Sequence, residues 1–229
     1  MVVRIKPAAL RLPMRVWDLP TRLFHWVVVA LVVLSYVSIN LAANAVWMEV
    51  HLASGFTMLA LLVFRLIWGF VGSETSRFAN FLRSPLAGLR HLAQLGRREP
   101  DNTVGHNAAG GWMVLLLLLL LCAQVATGLC ANDDVLTEGP LAKYVGKHWS
   151  DRLTGLHGTL FWVLVGVIVL HVVAVLLYAA LKGQNLVRPL ITGKKRLPGA
   201  TRQPRMASLL LAAVVAIVAA AVSYTVSRL

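Results

Sequence analysis

Four of the seven histidines in this 229-residue chain fall inside long apolar runs: His25, His51, His157 and His171. An ionisable side chain is costly in an apolar span, which makes each a candidate for chemistry. Neutral imidazole offers a lone pair to a transition metal, and an imidazole that changes charge can relay a proton. Spacing helps to separate these uses. His157 and His171 lie 14 residues apart on one run. At 100° per residue they fall about 40° short of four full turns, so both face nearly the same way, about 21 Å apart along a helix axis. Two stacked ligands of this kind suit two groups at different depths. Zinc is disfavoured, because no further Cys, Asp or Glu stands at ligand spacing. A proton relay would normally add carboxylates within the spans, and here there is only Glu49, near a run end.

The elements that must position these residues are five apolar runs, at about 23–43, 48–71, 109–130, 153–181 and 206–226. A helix of about 20 apolar residues crosses a bilayer. Each run is long enough, and the fourth, at over 40 Å by helical rise, exceeds a hydrocarbon core of about 30 Å. The chain is 58% hydrophobic and 14% charged, with a mean hydropathy of +0.73, which excludes a soluble globular enzyme. Residues 77–97 alternate apolar and basic at helical spacing and are expected to form an interfacial helix.

Lys and Arg number 22 against 9 Asp and Glu, a net charge of +13. The bases concentrate in alternate segments: before the first run, between the second and third, and between the fourth and fifth. The stretch 131–152 is the acidic exception, with Asp133, Asp134, Glu138 and Asp151. This alternation sets topology and leaves no nucleic-acid footprint. By the positive-inside rule it puts the N-terminus in the cytoplasm, or its topological equivalent, and the C-terminus outside. His25 and His171 then share the inner depth, and His51 and His157 the outer. Two imidazoles on opposite faces of a porphyrin would make a six-coordinate haem with no open site for oxygen, suited to moving electrons.

Other residues support this arrangement. Gly55 is one turn after His51 and would let a flat macrocycle approach the backbone; simple helix packing is the alternative. Arg22 and Arg65 could pair with a propionate of the inner haem, although Arg65 could equally snorkel to the headgroups. His106 reads as a capping or interface residue at the entry to the third helix, with a quinone-site role as a weaker option. His91 and His148 read as surface residues, and Cys122 and Cys130 as reduced, structural thiols. Most tryptophans fall near run ends, as an aromatic belt requires.

The stretch Val16-Trp17-Asp18-Leu19-Pro20-Thr21-Arg22-Leu23-Phe24-His25-Trp26 resembles the opening motif of the bacterial cytochrome b561 family, in particular its hydrogenase-type b cytochromes. Arg65-Leu66-Ile67-Trp68-Gly69-Phe70-Val71-Gly72-Ser73 resembles the end of that family's second helix, and Gly105-His106-Asn107 its entry to the third. His157 and His171, with Leu186-Val187-Arg188 and Ile191-Thr192-Gly193, resemble its fourth helix and tail. Ala108 stands where a proline is expected in relatives. The resemblance implies a four-helix bundle holding two b haems, with one histidine on each of helices one and two and two on helix four. It also implies electron transfer between a periplasmic or membrane partner and the quinone pool.

The expected architecture is therefore an all-α membrane protein: a four-helix transmembrane haem-binding bundle plus a fifth C-terminal transmembrane helix. Residues 1–21 form a basic cytoplasmic segment, 22–195 the di-haem domain, and 196–229 a basic linker and the fifth helix. The expected location is a bacterial inner membrane. The expected partners are lipid, a quinone, and a periplasmic redox protein such as a hydrogenase or c-type cytochrome, and a homo-oligomer is compatible. Two other readings stay open: a superoxide:quinone oxidoreductase on the same scaffold, and a haem-free anchor or proton-coupled transporter.

Overall fold

The computed structural model describes residues 10–41, 45–94, 96 and 102–229. A short strand β1 (Arg11–Arg15) leads into α1 (Leu19–Asn40) and α2 (Ala45–Val71). A 3-10 turn (Glu74–Ser76) and two short helices, α3 (Phe78–Phe81) and α4 (Pro85–Ala93), precede α5 (Ala108–Leu129). The one-turn α6 (Ala142–Val145) introduces the 36-residue α7 (Lys147–Lys182). Then come α8 (Val187–Thr192), strand β2 (Lys194–Pro198) and α9 (Leu209–Ser227). Helices α1, α2, α5, α7 and α9 are long and apolar enough to cross a membrane. This is the all-α membrane architecture expected from the sequence.

Helix ends differ from the apolar runs where polar caps, rather than hydropathy, decide them. Asp18 caps α1: its carboxylate accepts from the Thr21 backbone N–H at 2.7 Å, so the helix begins four residues before the run. Residues 42 and 43, at the expected end of that run, lie outside the described residues. Ser208 caps α9 and delays its start to Leu209. Helix α7 starts at Lys147, six residues before the apolar run, and stops at Gly183 in left-handed conformation (φ 61°). Its rise gives a length of about 54 Å, well beyond the hydrocarbon core.

The single interfacial helix expected over 77–97 is not formed. Chain direction changes at Leu82–Ser84, and Pro85, lacking an N–H, opens a new helix behind the Ser84 cap. Residues 95 and 97, at the end of that segment, lie outside the described residues. A second feature had no signal in the sequence reading: β1 pairs antiparallel with β2, from Arg11 opposite Pro198 to Arg15 opposite Lys194. Next to this ribbon, the Val16 and Trp17 N–H groups donate to the Gly193 carbonyl at 2.8 and 3.1 Å. Gly193 has φ 78°, and a Cβ there would stand 2.9 Å from both the Trp17 carbonyl and the Arg22 guanidinium. The entry to α1 is thereby tied to the exit from α7.

Helix α2 is central, with α1 on one side and α9 on another. Ala212, Val215 and Ala219 of α9 pack on Phe64 and Trp68, and the Ser223 hydroxyl donates to the Phe56 carbonyl at 2.7 Å. Phe64 is 13 residues beyond His51, about 220° around the helix, so α9 covers the face turned away from that histidine. Helix α7 leans on α5. It meets α1 through Tyr36 stacked on Phe161, ring centres 5.3 Å apart. Leu31, Met58, Leu62, Leu118, Leu121 and Leu164 form one apolar layer drawn from all four bundle helices. Leu164 is seven residues from both His157 and His171, so this layer separates the two histidine depths.

Candidate functional site

His51 on α2 and His157 on α7 come together with ring centres 6.3 Å apart and planes at 86°. Two imidazoles bound to one metal through bonds of about 2 Å place their ring centres on the order of 6 Å apart. Each ring is fixed by a neighbouring helix. The His51 Nδ1 donates to the Ser35 carbonyl of α1 at 3.0 Å, and the His157 Nδ1 donates to the Gln124 carbonyl of α5 at 2.9 Å. A carbonyl oxygen can only accept. Both Nδ1 atoms therefore carry the proton, and both Nε2 atoms present a lone pair, the tautomer an iron ligand requires. Beside the pair is a cavity of about 550 Å³, lined by His51, Gly55, Leu121, His157, Gly158 and Phe161 among others. A Cβ on Gly55 or Gly158 would meet no protein atom within 4 Å, so both glycines leave backbone bare towards open space.

Helix α5 contributes no candidate ligand, yet it seats His157. The Gln124 amide nitrogen lies 3.3 Å from the His157 Nε2, and the Thr127 hydroxyl 3.3 Å from its Nδ1. A Cβ on Gly128 would fall 2.8 Å from His157 Cε1 and 3.1 Å from Nδ1. The imidazole cannot yield freely, because its Nδ1 is bonded to the Gln124 carbonyl. We expect Gly128→Ala to cost about 1–3 kcal/mol of strain and to push the His157 ring off its seat. The thermal midpoint of the purified variant in detergent checks this; an unchanged midpoint would refute it.

The loop 131–141 lies at the mouth of this cavity, where Asn132, Asp133 and Thr137 line it. The Asp133 carboxylate accepts from the N–H groups of Val135, Leu136 and Thr137 at 2.9, 2.9 and 2.8 Å. These backbone donors, Thr137 foremost, hold its pKa down to about 2, so it is ionised at neutral pH. Asn132 donates to Ser150 at 2.6 Å and to Asp151 at 2.9 Å, tying the loop to α7.

His25 on α1 and His171 on α7 also approach closely enough for their charges to interact. This second site holds several buried polar atoms without a partner: Arg22 Nε, His25 Nδ1, Arg65 Nη1 and His106 Nδ1. Arg65 is only 3% exposed, with its guanidinium over Phe78 at 5.0 Å, so it does not snorkel to a headgroup layer. It is 14 residues beyond His51, the interval that separates His157 from His171, which puts it at the His171 depth. Arg22 touches Gly193, as described above. His106 corrects its sequence reading. Asn107, not His106, caps α5 by accepting from the Gly110 N–H at 2.8 Å. His106 is packed between Trp17 (4.6 Å) and Phe81 (4.9 Å). Burial, then the charges of Arg65, His171 and His25, press its pKa down to about 3, so it is neutral at physiological pH.

The other sequence-marked residues fall outside these sites. His91 hydrogen-bonds to Tyr178 at the far end of α7, and His148 is exposed beside Trp149. Trp17 and Trp68 are 8% and 0% exposed, so these two are core residues rather than part of an aromatic belt. Asp18, which the sequence reading did not single out, is the buried centre of a network. It accepts from Trp68 Nε1 at 3.1 Å and Ser76 Oγ at 3.3 Å as well as from Thr21. Among the described residues no three His, Cys, Asp or Glu side chains converge. The donors come as histidine pairs, which suits a metal that brings its remaining ligands in a macrocycle.

A five-helix membrane bundle with paired imidazoles in its interior belongs to the class of membrane haem proteins. The family model for prokaryotic cytochrome b561 matches residues 16–193, and the chain is a member of that family. It is thus a multi-pass, b-type haem-binding electron-transfer protein of a bacterial membrane. No curated protein and no solved structure gives a significant match.

Proposed function

We propose that this protein is a di-haem cytochrome carrying electrons between a periplasmic redox partner and the quinone pool of the inner membrane. His51 and His157 ligate one haem, and His25 and His171 the other. The observation that carries this reading is the outer pair: ring centres 6.3 Å apart, with both Nδ1 protons committed to backbone carbonyls. Bound at each pair, haem supplies a one-electron couple with no vacant iron position. The residues do the rest. Gly55 leaves room for the macrocycle at the outer pair. Arg22 and Arg65 offer unpartnered guanidinium nitrogens to propionates at the inner pair. The leucine layer keeps water from the space between the two sites.

The charge pattern supports a cytoplasmic N-terminus, with the His25–His171 site towards the cytoplasm and the His51–His157 site with its acidic loop towards the periplasm. A hydrogenase or soluble c-type cytochrome is the class of partner that would dock there. The reduced-minus-oxidised visible spectrum and haem-to-protein ratio of the purified chain test the reading. A b-type alpha band with two haems per chain is expected; no alpha band, or one haem, would overturn it.

A further inference from the structure

The two histidine pairs differ in what surrounds them, in ring hydrogen bonding and in net fixed charge. At His51 and His157 both Nδ1–H groups donate to backbone carbonyls. A ligand imidazole so bonded is more basic and gives more electron density to its metal. At the other pair, the His25 Nδ1 is buried with no acceptor. Among the described residues, no hydrogen-bond acceptor reaches the His171 ring either. Fixed charge points the same way. The His51–His157 cavity has the ionised Asp133 on its solvent-exposed rim, where water weakens but does not reverse its effect. The His25–His171 site has the buried Arg65 and the half-buried Arg22, each with a guanidinium nitrogen lacking a partner; the buried Asp18 carboxylate near Arg65 offsets one of the two charges and leaves the site net positive. Positive charge in a dry site favours the reduced metal, which carries one positive charge fewer; negative charge favours the oxidised metal.

We infer that the chain holds the His25–His171 haem at the higher reduction potential and the His51–His157 haem at the lower, so that an electron entering at the acidic-loop end settles at the Arg65 end. This rests on the di-haem reading above. Arg65 is the positioning charge of the inference. It acts on the iron through space without ligating it, and its pairing with a propionate would weaken the effect without reversing its sign.

An equilibrium redox titration of the purified holoprotein, followed at the alpha band, tests this. Two one-electron waves should appear, separated by at least tenfold in equilibrium constant, about 59 mV. His157→Ala should keep the upper wave and His171→Ala the lower. Arg65→Gln should move the upper wave down and leave the lower in place, and Arg65→Lys should restore most of the shift. If His171→Ala fails to fold, the wild-type, His157→Ala and Arg65→Gln titrations still decide. Coincident waves, a His157→Ala protein that keeps the lower wave, or an upper wave unmoved in Arg65→Gln would overturn the inference while leaving two haems in place. Fewer than two haems in the wild type would overturn the di-haem reading, and this inference with it.

Discussion

Replacing either His51 or His157 with alanine is expected to lower the haem content of the purified protein from two per chain to one, and to remove the same haem in both variants. The expectation follows from how the pair is held. The two rings come from different helices, and each is oriented by a third element: α1 through the Ser35 carbonyl for His51, and α5 through the Gln124 carbonyl for His157. Loss of one imidazole leaves the other in place, so the remaining site offers a single axial bond and an enlarged cavity open to water. His25→Ala and His171→Ala should together define the complementary loss. Pyridine haemochrome quantitation gives the count, and low-temperature electron paramagnetic resonance gives the identity. The His51 and His157 rings are near-perpendicular (86°), an angle that would leave the dπ orbitals of a ferric iron held between them nearly degenerate, so a strongly anisotropic signal is expected. That signal should vanish in His51→Ala and His157→Ala and persist in the other two variants. If the His51 and His157 variants lost different haems, the assignment of partners would fall.

That His51 comes to lie beside His157 was legible in the sequence because a membrane reduces the problem to depth and face. Charge alternation gives each helix an expected direction, and the interval of 14 residues puts His157 and His171 on one face. The structure supplied what no spacing rule encodes. The seat of His157 is a backbone carbonyl and a missing Cβ, at Gln124 and Gly128, on a helix whose side chains read as bland leucine packing. Pro85 was visible in the sequence, yet the apolar–basic period across it suggested one helix where the chain turns. The β1–β2 ribbon escaped because its strands are 5 residues each, rich in Arg and Lys, and their paired ends Arg15 and Lys194 lie 179 positions apart in the chain. His106 escaped because its neighbour Asn107 does the capping that the position suggested.

Asp18→Ala should be the most damaging substitution away from the histidines, and it should act on one site only. The carboxylate closes three contacts at once: the first turn of α1 through Thr21, the end of α2 through Trp68 Nε1, and the following turn through Ser76 Oγ. Loss of the N-cap alone costs about 0.5–2 kcal/mol. Trp68 is fully buried, so its indole N–H would be left dry, at about 1–3 kcal/mol, whereas the Ser76 hydroxyl keeps the Thr21 hydroxyl as a partner at 2.7 Å. A total of about 2–5 kcal/mol is the expected order. It should appear as a lowered thermal midpoint of the protein in detergent. Asp18→Asn keeps an acceptor for Thr21 but cannot satisfy both Trp68 and Ser76 without turning an N–H towards one of them, so it should fall between alanine and wild type. The functional consequence follows from distance along the helix. His25 is seven residues from Asp18, two turns or about 10 Å, and its depth is set by where α1 begins. His51 and His157 take their positions from Ser35 and from α5, far from the cap. Asp18→Ala should therefore weaken retention of the His25–His171 haem while the strongly anisotropic signal of the other persists. Equal loss of both haems would mean that the cap holds α1 as far as Ser35, the seat of His51, rather than only the first turns that carry His25.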